Sequence, residues 1–129
     1  MTEKVFKEKY HIFEIEYKKD EIKYKSVDEI ISFLEEKIKN HPVISFISIF
    51  DHFAHTKSLA NSVINENIID GKNIVFCFGV EIPTPEVFAV RPRSIGVCET
   101  KTSFIINFLV APNETANDVM KSFVKAIKE

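Results

Sequence analysis

The sequence predicts an α+β domain: a mostly antiparallel sheet with two amphipathic helices on one of its faces. Three observations carry that prediction. Two segments repeat apolar residues at helical spacing, at 26–42 and 113–129. Several other segments alternate, or run apolar for seven or eight residues between turn signals, as strands do. The last two strand segments are separated only by Thr100-Lys101-Thr102, too short for a crossover, so they pair antiparallel. The 129 residues fit one domain, 1–129, and show no repeat and no Gly-, Ser- or Pro-rich linker.

In chain order, YHIFEIEYKK alternates, with His11, Phe13, Ile15 and Tyr17 on one side and Glu14, Glu16 and Lys18 on the other. This is a half-buried strand. DEIKYKS repeats the pattern with Ile22 and Tyr24 and predicts a second strand, although Lys19-Asp20 lacks the glycine of a tight hairpin. In SVDEIISFLEEKIKNHP, Ser26 and Glu29 make a capping box, and Val27, Ile30, Ile31, Leu34 and Ile38 form one stripe. Asn40-His41-Pro42 ends the helix, because proline drives the residue before it out of helical angles.

VISFISIF, residues 43–50, and NIVFCFG, residues 73–79, predict strands covered on both faces. Gly79 opens a turn, and Pro83 and Pro85 forbid regular pairing just after it. EVFAV predicts a short strand. The segments around Gly96 and from Phe104 to Val110 predict two longer ones; Gly96 marks a bulge or a close approach by other backbone or a ligand, and the bulge is the simpler expectation. The final helix has Ala116, Val119, Met120, Phe123 and Ile127 as its stripe and Asn113 or Thr115 as its cap. One helix layer on a sheet whose strands look apolar on both faces leaves a face to cover. A homodimer through the sheet is the economical cover.

Composition narrows the function classes. Net charge is −2, with lysines scattered among glutamates. There is no basic footprint for nucleic acid. No apolar run approaches the roughly 20 residues of a membrane span. The charged N-terminus has no secretory apolar region, so the expected location is cytoplasmic. Cys77 and Cys98 have neither C-x-x-C nor zinc spacing and are expected as buried free thiols.

Two constellations could carry chemistry. Asp51-His52…His55 puts two histidines at i and i+3, which share a face only if the strand stops near Phe50 and a helical turn starts with Asp51 as cap. Neither H-E-x-x-H nor a third fixed ligand is present, so no metal is assigned; strand-end capping by Asp51 and His52 is the simpler role. Arg91-Pro92-Arg93 holds both arginines of a chain that otherwise uses 15 lysines. A planar guanidinium fork suits a carboxylate or phosphate, and suits equally a structural ion pair with Asp51 or Glu99. No nucleophile elbow or phosphate-cradling glycine loop occurs, and no motif assigns a cofactor.

The block FDHFAHTKSLAN…NIVFCFGVEIPTPEVFAVRPRSIGVCETKTSFIINFLVAP resembles the central block of a small bacterial family, domain of unknown function 302. The matching residues are Asp51-His52, Phe78-Gly79 and Pro83. A narrower group of uncharacterised bacterial proteins resembles it more closely, sharing FDH.AHTKSL and AVRPRSIGVCE. The resemblance covers residues 27–128 and implies a compact α+β fold that dimerises. It implies no activity, substrate or cofactor, and residues 1–25 fall outside it.

Two functional expectations follow. The first is a dimeric small-ligand-binding or protein-interaction domain without catalysis. The second is an enzyme or metal-binding protein with one pocket, built from Asp51, His52, His55, Arg91 and Arg93, for an anionic small molecule.

Overall fold

A computed structural model describes all residues, 1–129. Six strands form one antiparallel sheet: β1 (Thr2–Phe6), β2 (Tyr10–Lys18), β3 (Ile44–Phe50), β4 (Ile68–Phe78), β5 (Arg93–Thr100) and β6 (Ser103–Leu109). Their spatial order is β1-β2-β6-β5-β4-β3. Two long helices, α1 (Val27–Lys39) and α4 (Glu114–Ala126), and two short ones, α2 (His52–Lys57) and α3 (Val87–Val90), complete the α+β fold.

The strand register determines which residues meet. Phe13 lies opposite Phe108, Tyr17 opposite Phe104, Val97 opposite Ile106, and Ile74 opposite Ile95. Paired residues point to the same side, so these side chains make one apolar face. The α1 stripe (Val27, Ile30, Ile31, Leu34, Ile38) and the α4 stripe (Ala116, Met120, Phe123, Val124, Ile127) close over it in one core. Both helices have the caps their sequences encode: the Ser26 side chain accepts from the Glu29 N–H, and Asn113 from the Ala116 N–H.

Two buried polar contacts tie α4 to the sheet. Tyr17 donates its hydroxyl proton to the Val124 carbonyl at 2.8 Å. Asn117 is 1% exposed and pairs with both backbone groups of Ala111, accepting from its N–H at 2.7 Å and donating to its carbonyl at 2.9 Å. The buried polar groups of Tyr17 and Asn117 are thus partnered, which removes the cost of leaving them dry.

Three expectations for the elements are corrected, and one strand is added. Residues 2–6 form an edge strand, β1, which pairs with β2 through the turn at Lys7 and Glu8, both at positive φ. DEIKYKS is not a strand; Ile22 instead packs into the core from a turn. The EVFAV segment forms the helical turn α3, downstream of Pro83 and Pro85. Finally, β3 is an edge strand whose residues are mostly exposed, because β4 pairs with one of its sides only. No helix is long and apolar enough to cross a membrane.

Burial pushes the Tyr17 phenol up from 10.0 to about 12. The folded state therefore keeps a proton that the unfolded chain loses near pH 10, so this contribution is complete below pH 10 and is lost as the pH climbs toward 12. Tyr17→Phe is expected to lower the unfolding free energy by about 1 kcal/mol at neutral pH. In urea titrations, the gap between wild type and variant should close above pH 10; a gap that persists would show the phenol is not held this way.

Candidate functional site

Strand alternation sends a second set of residues to the face opposite the long helices. Glu14, Asn107, Gly96, Asn73 and Phe50 stand in one register row across β2, β6, β5, β4 and β3. Their side chains form a polar line over a floor that is bare at its centre. Lys4 pairs with Glu14 at 2.7 Å. The Asn107 Nδ2 donates to Glu14 Oε1 at 3.2 Å, which turns Asn107 Oδ1 toward Gly96. From the other end, His52 Nδ1 meets Asn73 Oδ1 at 3.0 Å, and Asn73 Nδ2 faces Gly96.

Gly96 is what keeps the centre of the row open. A Cβ there would come within 3.1 Å of Asn107 Oδ1 and 3.4 Å of Asn73 Nδ2. No bulge interrupts the pairing at Gly96; the register breaks lie between Phe46 and Ser48 and between Ile68 and Asp70. The expectation of a bulge is therefore replaced by a close approach of two amides. Between them stand an acceptor, Asn107 Oδ1, and a donor, Asn73 Nδ2, with no hydrogen bond joining the two.

A pocket of about 400 Å³ lies over this row. Asn73, Gly96, Cys98 and Asn107 line its floor, and His52, Phe53 and Thr56 from α2 and Val63, Ile64 and Asn65 from the following loop line its walls. α2 exists because the strand stops at Phe50. Asp51 leaves extended geometry and caps the helix, its Oδ1 accepting from the Ala54 N–H at 3.0 Å. His52 then turns inward to Asn73, with its ring stacked on Phe50 at 5.1 Å between centroids.

The five residues singled out by sequence divide between places. His52 lines the open-face pocket. Asp51 lies beside it as the helix cap, 3.6 Å from the Lys72 ammonium, which itself holds Asp28 at 2.6 Å. His55 is exposed, its ring tilted against that of Phe50 at 5.5 Å between centroids. Arg91 and Arg93 line a different pocket, at the end of the sheet near the start of α4. The ion pair expected between an arginine and Asp51 or Glu99 is not formed: Lys72 approaches Asp51, and Lys19 holds Glu99 at 2.6 Å.

No three His, Cys, Asp or Glu side chains stand close enough to share a metal ion. Cys77 and Cys98 are free, and both are half-buried rather than fully buried. Burial pushes the Cys98 thiol up, and Asp70, Glu14 and Glu99 add to the effect. Nucleophilic sulfur chemistry needs the thiolate, so this upward shift lowers the reactivity of the pocket thiol. The Lys72 ammonium is shifted upward by its hydrogen bond to Asp28, with the Asp28, Asp51 and Asp70 charges adding and burial opposing.

Sequence reasoning missed Glu14, Asn73, Gly96 and Asn107 as a group. Each is an ordinary strand residue, and only the register aligns residues 14, 107, 96 and 73. The available signal was local: Asn107 is a polar position inside the apolar run of β6, and Asn73 heads the apolar run NIVFCF.

With the geometry described, comparison with known proteins adds a family. The model of a family of unknown function, DUF6858, matches residues 1–129, and the chain belongs to that family. The expectation of an uncharacterised family holds in that form, but the family is not domain of unknown function 302, and the match takes in residues 1–25. No curated protein and no solved structure matches the chain.

Asp51→Ala removes the α2 cap and one neighbour of Lys72. It is expected to cost about 1 kcal/mol and to speed amide exchange at Ala54 and His55. Unchanged exchange there, measured by NMR, would mean that α2 does not depend on this cap.

Proposed function

We propose that this chain is a small ligand-binding domain without catalysis, whose open-face pocket takes a neutral molecule carrying an adjacent hydrogen-bond acceptor and donor, such as a cis-amide or urea edge. The observation that carries this reading is the unjoined pair over Gly96. Asn107 Oδ1 offers an acceptor and Asn73 Nδ2 a donor, each held from behind, by Glu14 and His52 respectively. Groups pre-positioned in this way lose little freedom on binding. The apolar walls from Phe53, Val63 and Ile64 suit the body of a small organic molecule, and a few convergent polar groups fix its orientation.

The absence of catalysis is argued from the chemistry of the side chains. The pocket thiol is protonated at neutral pH, and the one histidine at the wall uses Nδ1 to hold Asn73. The Glu14 carboxylate is occupied by Lys4 and Asn107. A nucleophile paired with a base, the arrangement that covalent catalysis requires, is not assembled among them.

The same reading includes a homodimer in which a second copy covers the remainder of the open face. Leu109 is 50% exposed on that face, opposite Ile12, and Phe50 is 40% exposed at its β3 margin. Two chains apposed there would bury apolar surface that the helices leave uncovered. Sedimentation velocity is expected to give a dimer at micromolar concentration, and Leu109→Glu a monomer; a wild-type monomer would overturn the dimer and leave the pocket reading standing.

For the pocket, uracil is a suitable probe because its ring presents adjacent N–H and C=O groups. In NMR titrations of the wild type, it is expected to shift the Gly96 amide and the side-chain amides of Asn73 and Asn107 saturably. The Gly96 backbone is in no strained region, so Gly96→Ala should fold normally while its methyl closes the gap, and the shifts should be lost. Equal binding by wild type and Gly96→Ala would contradict the proposed contact.

A further inference from the structure

Both arginines of the chain lie in one place and neither is neutralised. All eight salt bridges in the protein are made by lysine or histidine. Arg91 donates from Nη1 to the Glu81 backbone carbonyl at 2.8 Å, not to that residue's carboxylate. Arg93 donates to the carbonyls of Val90, at 3.2 Å, and Leu109. Its Nε–H is the single buried side-chain polar atom in the protein without a hydrogen-bond partner. Desolvation, with no compensating anion, pushes the Arg93 guanidinium below its ordinary range.

A half-buried guanidinium without a counterion is costly, and a protein ordinarily offsets that cost with a carboxylate or phosphate. This chain keeps nineteen acidic residues and places none of them within salt-bridge reach of either arginine. What adjoins the two guanidinium groups instead is a pocket of about 370 Å³, separate from the open-face pocket. Its remaining walls are mainly apolar, including Val43, Phe78, Val90 and Ala111, and it is bordered by the opening turn of α4 at Thr115. The positive end of that helix dipole favours an anion, which adds to the two fixed charges.

One wall is shaped for the arginine. Gly79 has φ of 102°, and a Cβ there would stand 3.0 Å from Arg91 Nη2. The glycine therefore serves both the turn and the close seat of the guanidinium.

We propose that Arg91 and Arg93 form a second binding site, for a small monocarboxylate with an apolar body. The planar forks suit the carboxylate, and the apolar walls suit a short hydrocarbon chain. The site shares no residue with the open-face pocket, and so stands or falls independently of it.

The test uses hexanoate as the probe and the alcohol of the same chain length as its neutral control, with the full chain observed by NMR. Hexanoate is expected to shift the Arg91 and Arg93 Nε–H resonances and the Gly79 and Thr115 amides saturably, while the alcohol does not. Inorganic phosphate should bind more weakly, because it cannot fill the apolar walls. Arg91→Gln should weaken hexanoate about tenfold or more, as expected for losing a charged hydrogen-bond donor. It should leave the Gly96 and Asn107 resonances in place, which reports that the variant is folded. No saturable shift with hexanoate, equal binding of the alcohol, tighter binding of phosphate, or a folded Arg91→Gln variant with wild-type affinity would each overturn the assignment. The comparison of hexanoate with the alcohol in the wild type needs no variant, so the proposal remains testable if Arg93→Gln does not fold.

Discussion

One-sided packing is the constraint on which the rest of this molecule depends. Both long helices lie on the same face of a six-stranded sheet, and the apolar residues of β2, β4, β5 and β6 that point there form one continuous core with them. Strand alternation then places the intervening residues on the opposite face. A slip of one residue in any pairing would exchange the two sets, so the core that fixes the register also fixes the polar row. Glu14, Asn107, Gly96 and Asn73 are aligned because Phe13, Phe108, Val97 and Ile74 are buried beside them.

This separation lets the two faces have different chemistry. The core side is closed; there Tyr17 donates to α4, Asn117 of α4 bonds the backbone of Ala111, and Thr100 and Ser103 bond each other. The open side carries amides and a histidine held from behind, with hydrogen-bonding capacity facing solvent over a glycine. Small shifts in the core would be felt there, because adjacent strand residues point alternately to the two faces. The arginine pocket lies at the end of the sheet, where β5 begins and β6 hands over to α4, and its charges depend on backbone carbonyls alone.

Much of the fold was legible in the sequence because its signals are local. Ser26 and Glu29 announce α1, the apolar spacing of residues 27–38 gives its buried stripe, and Asn113 caps α4. Asp51 was legible as a cap once the strand was taken to stop at Phe50. What was not legible depends on long-range pairing. VISFISIF reads as a doubly covered strand, yet β3 lies at an edge, a fact that no local pattern encodes. EVFAV has strand-like composition, yet it forms a helical turn just past two prolines. At the site, His52 was identified through its spacing, whereas Asn73, Glu14, Gly96 and Asn107 come from 21 to 55 positions away and meet it only through the register. The two arginines were recognised as a pair, but their separation from His52 follows from their place at the start of β5, where Arg93, opposite the buried Phe76, stands on the other side of the sheet's alternation from Gly96.

The central claim is that the open face is a binding surface centred on Gly96, while the remainder of the fold supports it. Cys98 stands in that pocket and Cys77 outside it, so the chain holds its own pair of reporters. The most direct measurement is the rate at which each thiol is alkylated, with the sites resolved by mass spectrometry, in the presence and absence of saturating uracil. The account predicts that uracil slows alkylation of Cys98 and leaves Cys77 unchanged. Equal rates for Cys98 with and without uracil would contradict it.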